Sequence, residues 1–207
     1  FGQFIVAVGQ NSLLLSLILT MFTCILLGMG IPTIPNYIIT SSIAGPALLA
    51  LGVPLIVSHM FVFYFGILAD LTPPVALACF AAAPIAKESG LKISMEAIKV
   101  AAAGFVIPFM AVYTPALMLQ AGGPLADAIG YWPAVAYIVF KTVLCIGLWG
   151  AAVIGWVGRP LGWPLRILAV VAAVTLIAAL PMTDEAGFAL AGVFAGALFV
   201  TRQRTLA

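Results

Sequence analysis

"GILADLTPPVAL", residues 66–77, sets one carboxylate, Asp70, and a double proline, Pro73 and Pro74, in a long stretch without other charges. No Asp, Glu, Lys or Arg precedes Asp70, and the next one after it is Lys87. Adjacent prolines cannot continue a helix, because each lacks an N–H and its ring clashes with the carbonyl four residues back. The flanks, 55–69 with its aromatics (Phe61, Phe63, Tyr64, Phe65) and 75–86, are apolar. Together they read as one span, 55–86, broken near its middle.

The surrounding solvent must be lipid. The 207 residues are 65% hydrophobic and 7% charged, against roughly 25% charged in soluble domains. So much apolar surface cannot be hidden in a soluble chain of this size. The expected fold class is an all-α integral membrane protein. A net charge of +2, with no basic run interleaved with aromatics, excludes nucleic acid as a partner. Cys24, Cys79 and Cys145 stand far apart and read as inert buried thiols, without metal-ligand spacing. There is no HExxH, no Ser/His/Asp set and a single His, so no enzyme and no bound cofactor are expected. The chain opens on Phe1 with no basic n-region, which predicts no signal peptide and a C-terminal piece of a longer polypeptide.

Outward from the break, the pattern repeats upstream. Residues 13–28 are a continuous apolar run that reaches "GMGIPTIPNY" (28–37), where Gly28, Gly30, Pro32 and Pro35 end any regular helix. A second apolar arm, 36–51, follows. The two arms with a Gly/Pro tip predict a re-entrant helical hairpin over 12–51. Downstream, 87–99 carries three Lys and two Glu and belongs in water as a loop and helix start. Residues 100–119 read as a further span with Pro108 and Pro115 as kinks. The stretch 120–133 reads as an interfacial connection with Tyr131 and Trp132 at headgroup level. Residues 134–157 form another span, 158–166 a basic Trp-containing turn, and 167–180 with 186–201 two short apolar helices separated by "PMTDE". The region 121–207 is thus an extension of about three apolar helices. Lys and Arg are spread over several loops, so their order in the chain assigns no sidedness.

Breaking a helix inside a bilayer is expensive, since an unpaired N–H or C=O in hydrocarbon costs several kcal/mol. Broken helices present carbonyls at one half-helix end and N–H groups with a positive dipole at the other. Carbonyls suit a small cation, and the N-terminal end suits an anionic solute; paired broken segments mark the binding sites of secondary transporters. Thr33 and Asn36 offer neutral hydrogen-bonding groups beside carbonyls freed around Gly28, Met29 and Gly30. Thr72 offers a hydroxyl, and Pro73 and Pro74 are expected to leave the carbonyls of 69–71 without helical partners. Asp70 reads as a cation ligand, a proton carrier or a carboxylate paired with a donor elsewhere. His59 reads as a satisfied structural histidine, and at about 16 Å along the helix it is beyond contact with Asp70.

"GMGIPTIPNYIITSSIAGPALLALGVP", "SHMFVFYFGILADLTPPVALACFAAAPIAKE" and "GFVIPFMAVYTPALML", in this order, resemble the large membrane domain of TRAP transporters. The likeness is to the fused type that works with TAXI-class solute-binding proteins, and it covers roughly residues 1–120. The resemblance implies an elevator-type permease of two inverted repeats, of which this chain holds the second. It makes 12–51 the second hairpin, 55–86 the following broken helix and 100–119 a scaffold helix. It implies a Na⁺ site at Gly28, Ala69, Asp70 and Thr72, largely through backbone oxygens, and substrate contacts at Thr33, Asn36 and Pro73, with no other metal. Some members carry uncharged small residues where Asp70 stands, so both Na⁺ and H⁺ remain open as the coupling ion.

The expected function is import of a small organic anion, of the dicarboxylate kind, across a bacterial or archaeal inner membrane. The implied partners are the lipid bilayer, an extracytoplasmic TAXI-type solute-binding protein, and the N-terminal remainder with the first repeat and small-subunit helices. The rival readings are a structural membrane subunit packing against a transport partner and an ion channel. A channel wants a continuous polar pore lining, and isolated breaks with one acid do not supply it.

Overall fold

The computed structural model describes residues 2–9, 12–121, 123–177 and 182–203. Among these, regular structure is helical throughout apart from one isolated bridge between Trp156 and Pro160. Helix α1 (Gly2–Gly9) packs on a hairpin of α2 (Leu13–Gly28) and α3 (Thr33–Ala50). Ser12 starts α2, its hydroxyl accepting from the Leu15 N–H, which satisfies one of the orphan donors of a first turn. The tip turns at Gly30, whose φ of +77° lies in the left-handed region, where a Cβ would be strained. Helix α4 (Leu55–Leu68) lies along both arms, and α5 (Leu77–Ala86) resumes beyond an eight-residue loop. Helices α2 and α3 thus stand on either side of the Gly/Pro tip, and α4 and α5 on either side of the double-proline loop.

These elements share a core of Leu17, Cys24, Leu48, Val57, Phe61 and Phe65, which Phe109 meets edge-on and Phe105 at a tilt. His59 accepts or donates a 2.8 Å hydrogen bond at Nδ1 with the Tyr37 hydroxyl, in keeping with a structural histidine.

Helix α6 (Gly90–Ala101) starts at Ser89, which caps the Lys92 N–H. Its exposed face pairs Lys92 with Glu88 and Lys99 with Glu96. Lys92 and the Ser89 N–H together hold the Glu88 carboxyl below the usual carboxylate range.

The span expected over 100–119 is not one helix. It divides into a 3-10 turn at Ala102–Phe105, α7 (Ile107–Tyr113) and a second 3-10 turn at Pro115–Met118. Pro115 is the first residue of its element and Pro108 the second, where a missing N–H costs nothing, so each stands in the opening turn of a new segment instead of bending an old one.

Beyond α8 (Pro124–Ile129), α9 (Tyr131–Ile154) runs for 24 residues. It is long and apolar enough to cross a membrane, at about 36 Å by helical rise. Helix α10 (Trp163–Ile177) packs on it and α11 (Thr183–Gln203) packs on α10, through small residues, with Ala169, Ala172 and Ala173 fully buried. The end of the expected helix 167–180 and Pro181 of "PMTDE" lie outside the described residues. Met110, Ala116, Ala134 and Ile138 join this unit to the rest. Many large apolar side chains face outward, among them Leu26, Ile34, Phe140 and Phe199; a lipid-facing surface needs this and a soluble one avoids it.

The C-terminal end of α9 is closed by a side chain. Arg166 donates from Nε to the Ala152 carbonyl at 2.7 Å and from a terminal nitrogen to the Val153 carbonyl at 2.8 Å, and its guanidinium lies 5.1 Å from the Trp163 ring centre. Arg166→Ala therefore strips two carbonyls, at about 1–3 kcal/mol for each left unsatisfied. The expected result is a lower unfolding midpoint in detergent, only partly restored by Arg166→Lys, since an ammonium does not reproduce the fork. An unchanged midpoint would show that interfacial water replaces the guanidinium.

Candidate functional site

The two breaks meet. The hairpin tip lies against the loop between α4 and α5, so that a Cβ on Gly30 would fall 3.6 Å from Val75 Cγ1. The ends of α2 and α4 approach more closely still. A Cβ on Gly28 would stand 2.7 Å from the Gly66 carbonyl oxygen, 2.8 Å from Asn36 Nδ2 and 3.0 Å from Ala69 Cβ. Only a glycine permits this contact. Asn36, on the first turn of α3 and 2% exposed, donates from Nδ2 to the Gly66 carbonyl at 2.8 Å. Three helices are thus tied at one point by Gly28, Asn36, Gly66 and Ala69.

Two oxygens here lack partners. Asn36 Oδ1 and Asp70 Oδ1 are buried and make no hydrogen bond, and no salt bridge among the described residues reaches Asp70. Buried acceptors without donors are costly; Asn36 lies within the contact just described, and Asp70 follows Ala69, which borders it.

The backbone of the loop is better satisfied than the sequence leads one to expect. Carbonyls 69–71 do not stand open. Thr72 N–H donates to Ala69, Ala78 N–H to Asp70 and the Ser94 hydroxyl, from α6, to Leu71. The Thr72 hydroxyl bonds back to the Leu68 carbonyl at 2.8 Å. Removing helical donors with two prolines left acceptors that the fold pairs locally and from α6, as a buried backbone requires. Each carbonyl keeps a second lone pair. The bond between Pro73 and Pro74 is cis.

Of the residues singled out from sequence, Gly28, Asn36 and Ala69 come together directly. Asp70 and Thr72 lie half-buried in the adjoining loop, with Pro73 beyond them. Thr33 is exposed at the hairpin tip, apart from that cluster. Gly66 was not among the candidates. Its signal is weak, one glycine in an apolar helix, but it lies four residues before Asp70 and answers Gly28 across the contact. A second polar cluster was also missed. Lys141, 5% exposed on α9, bonds to Asp184 at the start of α11, whose other oxygen accepts from the Tyr137 hydroxyl at 2.6 Å. A lone Lys inside the 134–157 span was the available signal.

The described residues contain no group of three or more His, Cys, Asp or Glu that could hold a metal ion. The arrangement offers neutral oxygens, one carboxylate and a close helix contact. No curated protein and no solved structure matches the chain. A family model described as the DctM component of the tripartite ATP-independent periplasmic transporter matches residues 1–125, well over half of the chain. With its helical hairpin docked on a broken helix inside that matched region, this chain belongs to the DctM family, the large membrane component of TRAP transporters.

Proposed function

We propose that this chain is the second-repeat half of an ion-coupled TRAP permease that imports a small organic anion. An extracytoplasmic solute-binding protein of the TAXI type delivers the anion, and an elevator motion carries it across a bacterial or archaeal inner membrane. The observation that carries this reading is the docking of the hairpin tip on the end of α4, with Asn36 Oδ1 and Asp70 Oδ1 left without donors beside it. A desolvated cation is held by such oxygens, supplemented by the free lone pairs of the Gly28 and Ala69 carbonyls and the Thr72 hydroxyl. Thr33 and Pro73 face the solute, the former from the N-terminal end of α3, where the helix dipole favours an anion. The first repeat, supplied by the remainder of the permease, completes the solute site. An ion gradient does work here only if the loaded and empty states differ in affinity for the ion, and this contact between two breaks is where such a difference can arise.

The test is solute uptake by the complete transporter in proteoliposomes, with its binding protein and with Na⁺ and pH gradients imposed separately. Asn36→Ala is expected to lower uptake at least tenfold and raise the Na⁺ concentration needed for half-maximal rate. Asp70→Asn separates the two coupling ions. Uptake driven by Na⁺ and retained in Asp70→Asn makes the carboxylate incidental, whereas uptake driven by protons and lost in it makes Asp70 the carrier. Uptake that responds to neither gradient in the wild type overturns the secondary-transport reading.

A further inference from the structure

Only two residues of α6 are buried, Gly90 and Ser94, one turn apart on the same face. Both meet the broken helix. A Cβ on Gly90 would fall 2.5 Å from Phe80 Cδ1 on α5, so the first turn of α6 approaches that ring as only a glycine can. Ser94 has no exposed surface and donates its hydroxyl to the Leu71 carbonyl, in the loop before α5. The charged side chains of α6 lie outside this face, in the exposed ion pairs of Lys92 and Lys99.

The direction of that hydroxyl sets it apart. A serine or threonine inside a helix commonly bonds back to a carbonyl one turn earlier, as Thr20, Thr40, Thr142 and Thr175 do here. Ser94 instead reaches across to another element. Its bond is also, among the described residues, the one hydrogen bond that enters the loop 69–76 from outside the broken helix. The others run within that segment, from Thr72 N–H to Ala69, from Ala78 N–H to Asp70 and from the Thr72 hydroxyl to Leu68 among them. The loop is thus folded on itself and anchored to its surroundings by one serine.

The anchor acts on both ends of one peptide. The Leu71–Thr72 unit is a rigid plane; its C=O accepts from Ser94 and its N–H donates to the Ala69 carbonyl at 3.1 Å. Holding one end fixes the other, and with it the Ala69 carbonyl and the start of the Thr72 side chain. We propose that Ser94 is a positioning residue for the coupling ion, holding the Leu71–Thr72 peptide from α6 in the orientation in which Ala69 and Thr72 serve that ion. This rests on the ion site proposed above, to which Ser94 itself contributes no ligand. Without the bond the plane is free to turn, and the ion must first select the competent orientation. Apparent affinity falls with the competent fraction, so a fraction of about one tenth raises the half-saturating ion concentration about tenfold.

The test is uptake by the complete transporter in proteoliposomes, with its binding protein, against a Na⁺ titration and a pH series. Ser94→Ala removes the hydroxyl and leaves α6 intact, since alanine is the better helix former. It is expected to raise the half-saturating concentration of the driving ion about tenfold, with the rate at saturating ion close to that of the wild type. Ser94→Thr keeps the hydroxyl and is expected to restore most of the ion affinity. Thr175→Ala, which removes a hydroxyl that bonds back along α10, is expected to change neither quantity. Amide exchange gives a readout apart from transport: the Thr72 N–H is expected to exchange faster in Ser94→Ala with no ion added. A wild type driven by neither gradient overturns the ion-coupled reading and this role with it. An ion-driven wild type whose half-saturating concentration is unchanged in Ser94→Ala, a loss confined to the maximal rate, or unchanged Thr72 exchange overturns the role of Ser94 alone.

Discussion

Gly28→Ala is expected to cut uptake by the complete transporter at least tenfold while the protein still reaches the membrane. The added methyl would lie 2.7 Å from the Gly66 carbonyl oxygen and 3.0 Å from Ala69 Cβ, neither of which can swing away. The third neighbour, Asn36 Nδ2 at 2.8 Å, is held by its own bond to the Gly66 carbonyl. The hairpin tip must therefore back off from α4, at the cost of about 1–3 kcal/mol typical of overpacking. The displacement falls on the contact proposed to hold the ion, so the loss should exceed that of an equal strain elsewhere. Gly147→Ala and Gly192→Ala are the controls, since a Cβ at either position meets nothing within 4 Å. Initial uptake rates and unfolding midpoints of the three variants decide the matter. Wild-type uptake in Gly28→Ala would mean that the contact between the breaks is packing alone.

Much of this arrangement was legible from residue types that the backbone cannot ignore. Glycines and prolines at 28–35 can end two apolar arms in only one way, and the arms appear as Leu13–Gly28 and Thr33–Ala50. Pro73 and Pro74 broke the next helix where expected, between Leu68 and Leu77. What escaped was set by partners distant in sequence. The Leu71 carbonyl finds the hydroxyl of Ser94, 23 residues on, and nothing local announces that donor. Pro108 and Pro115 were read as kinks in one span, yet each sits in the opening turn of a separate element, because a proline serves equally well as an interruption or in a first turn. Gly66 gains meaning only opposite Gly28.

Asp184→Asn is expected to lower stability by about 3–5 kcal/mol, the scale for stranding one member of a buried ion pair, while Lys141→Met costs less. The asymmetry follows from exposure. The Lys141 side chain is 7% exposed and that of Asp184 is 32%, so loss of the acid leaves an ammonium with no compensating charge among apolar neighbours. Loss of the lysine leaves a carboxylate that still accepts from the Tyr137 hydroxyl and reaches a more open surface. The double variant, Lys141→Met with Asp184→Asn, removes both charges and keeps the tyrosine bond, and it should recover most of what Asp184→Asn loses. Unfolding midpoints in mild detergent measure all three, and a double variant no better than Asp184→Asn would sink the charge argument. The pair joins α9 to the first turn of α11, where Asp184 also meets a positive helix end. If the pair is a brace and no part of the coupling machinery, uptake by folded Lys141→Met protein should keep the ion dependence of the wild type and differ only in the amount of transporter that survives.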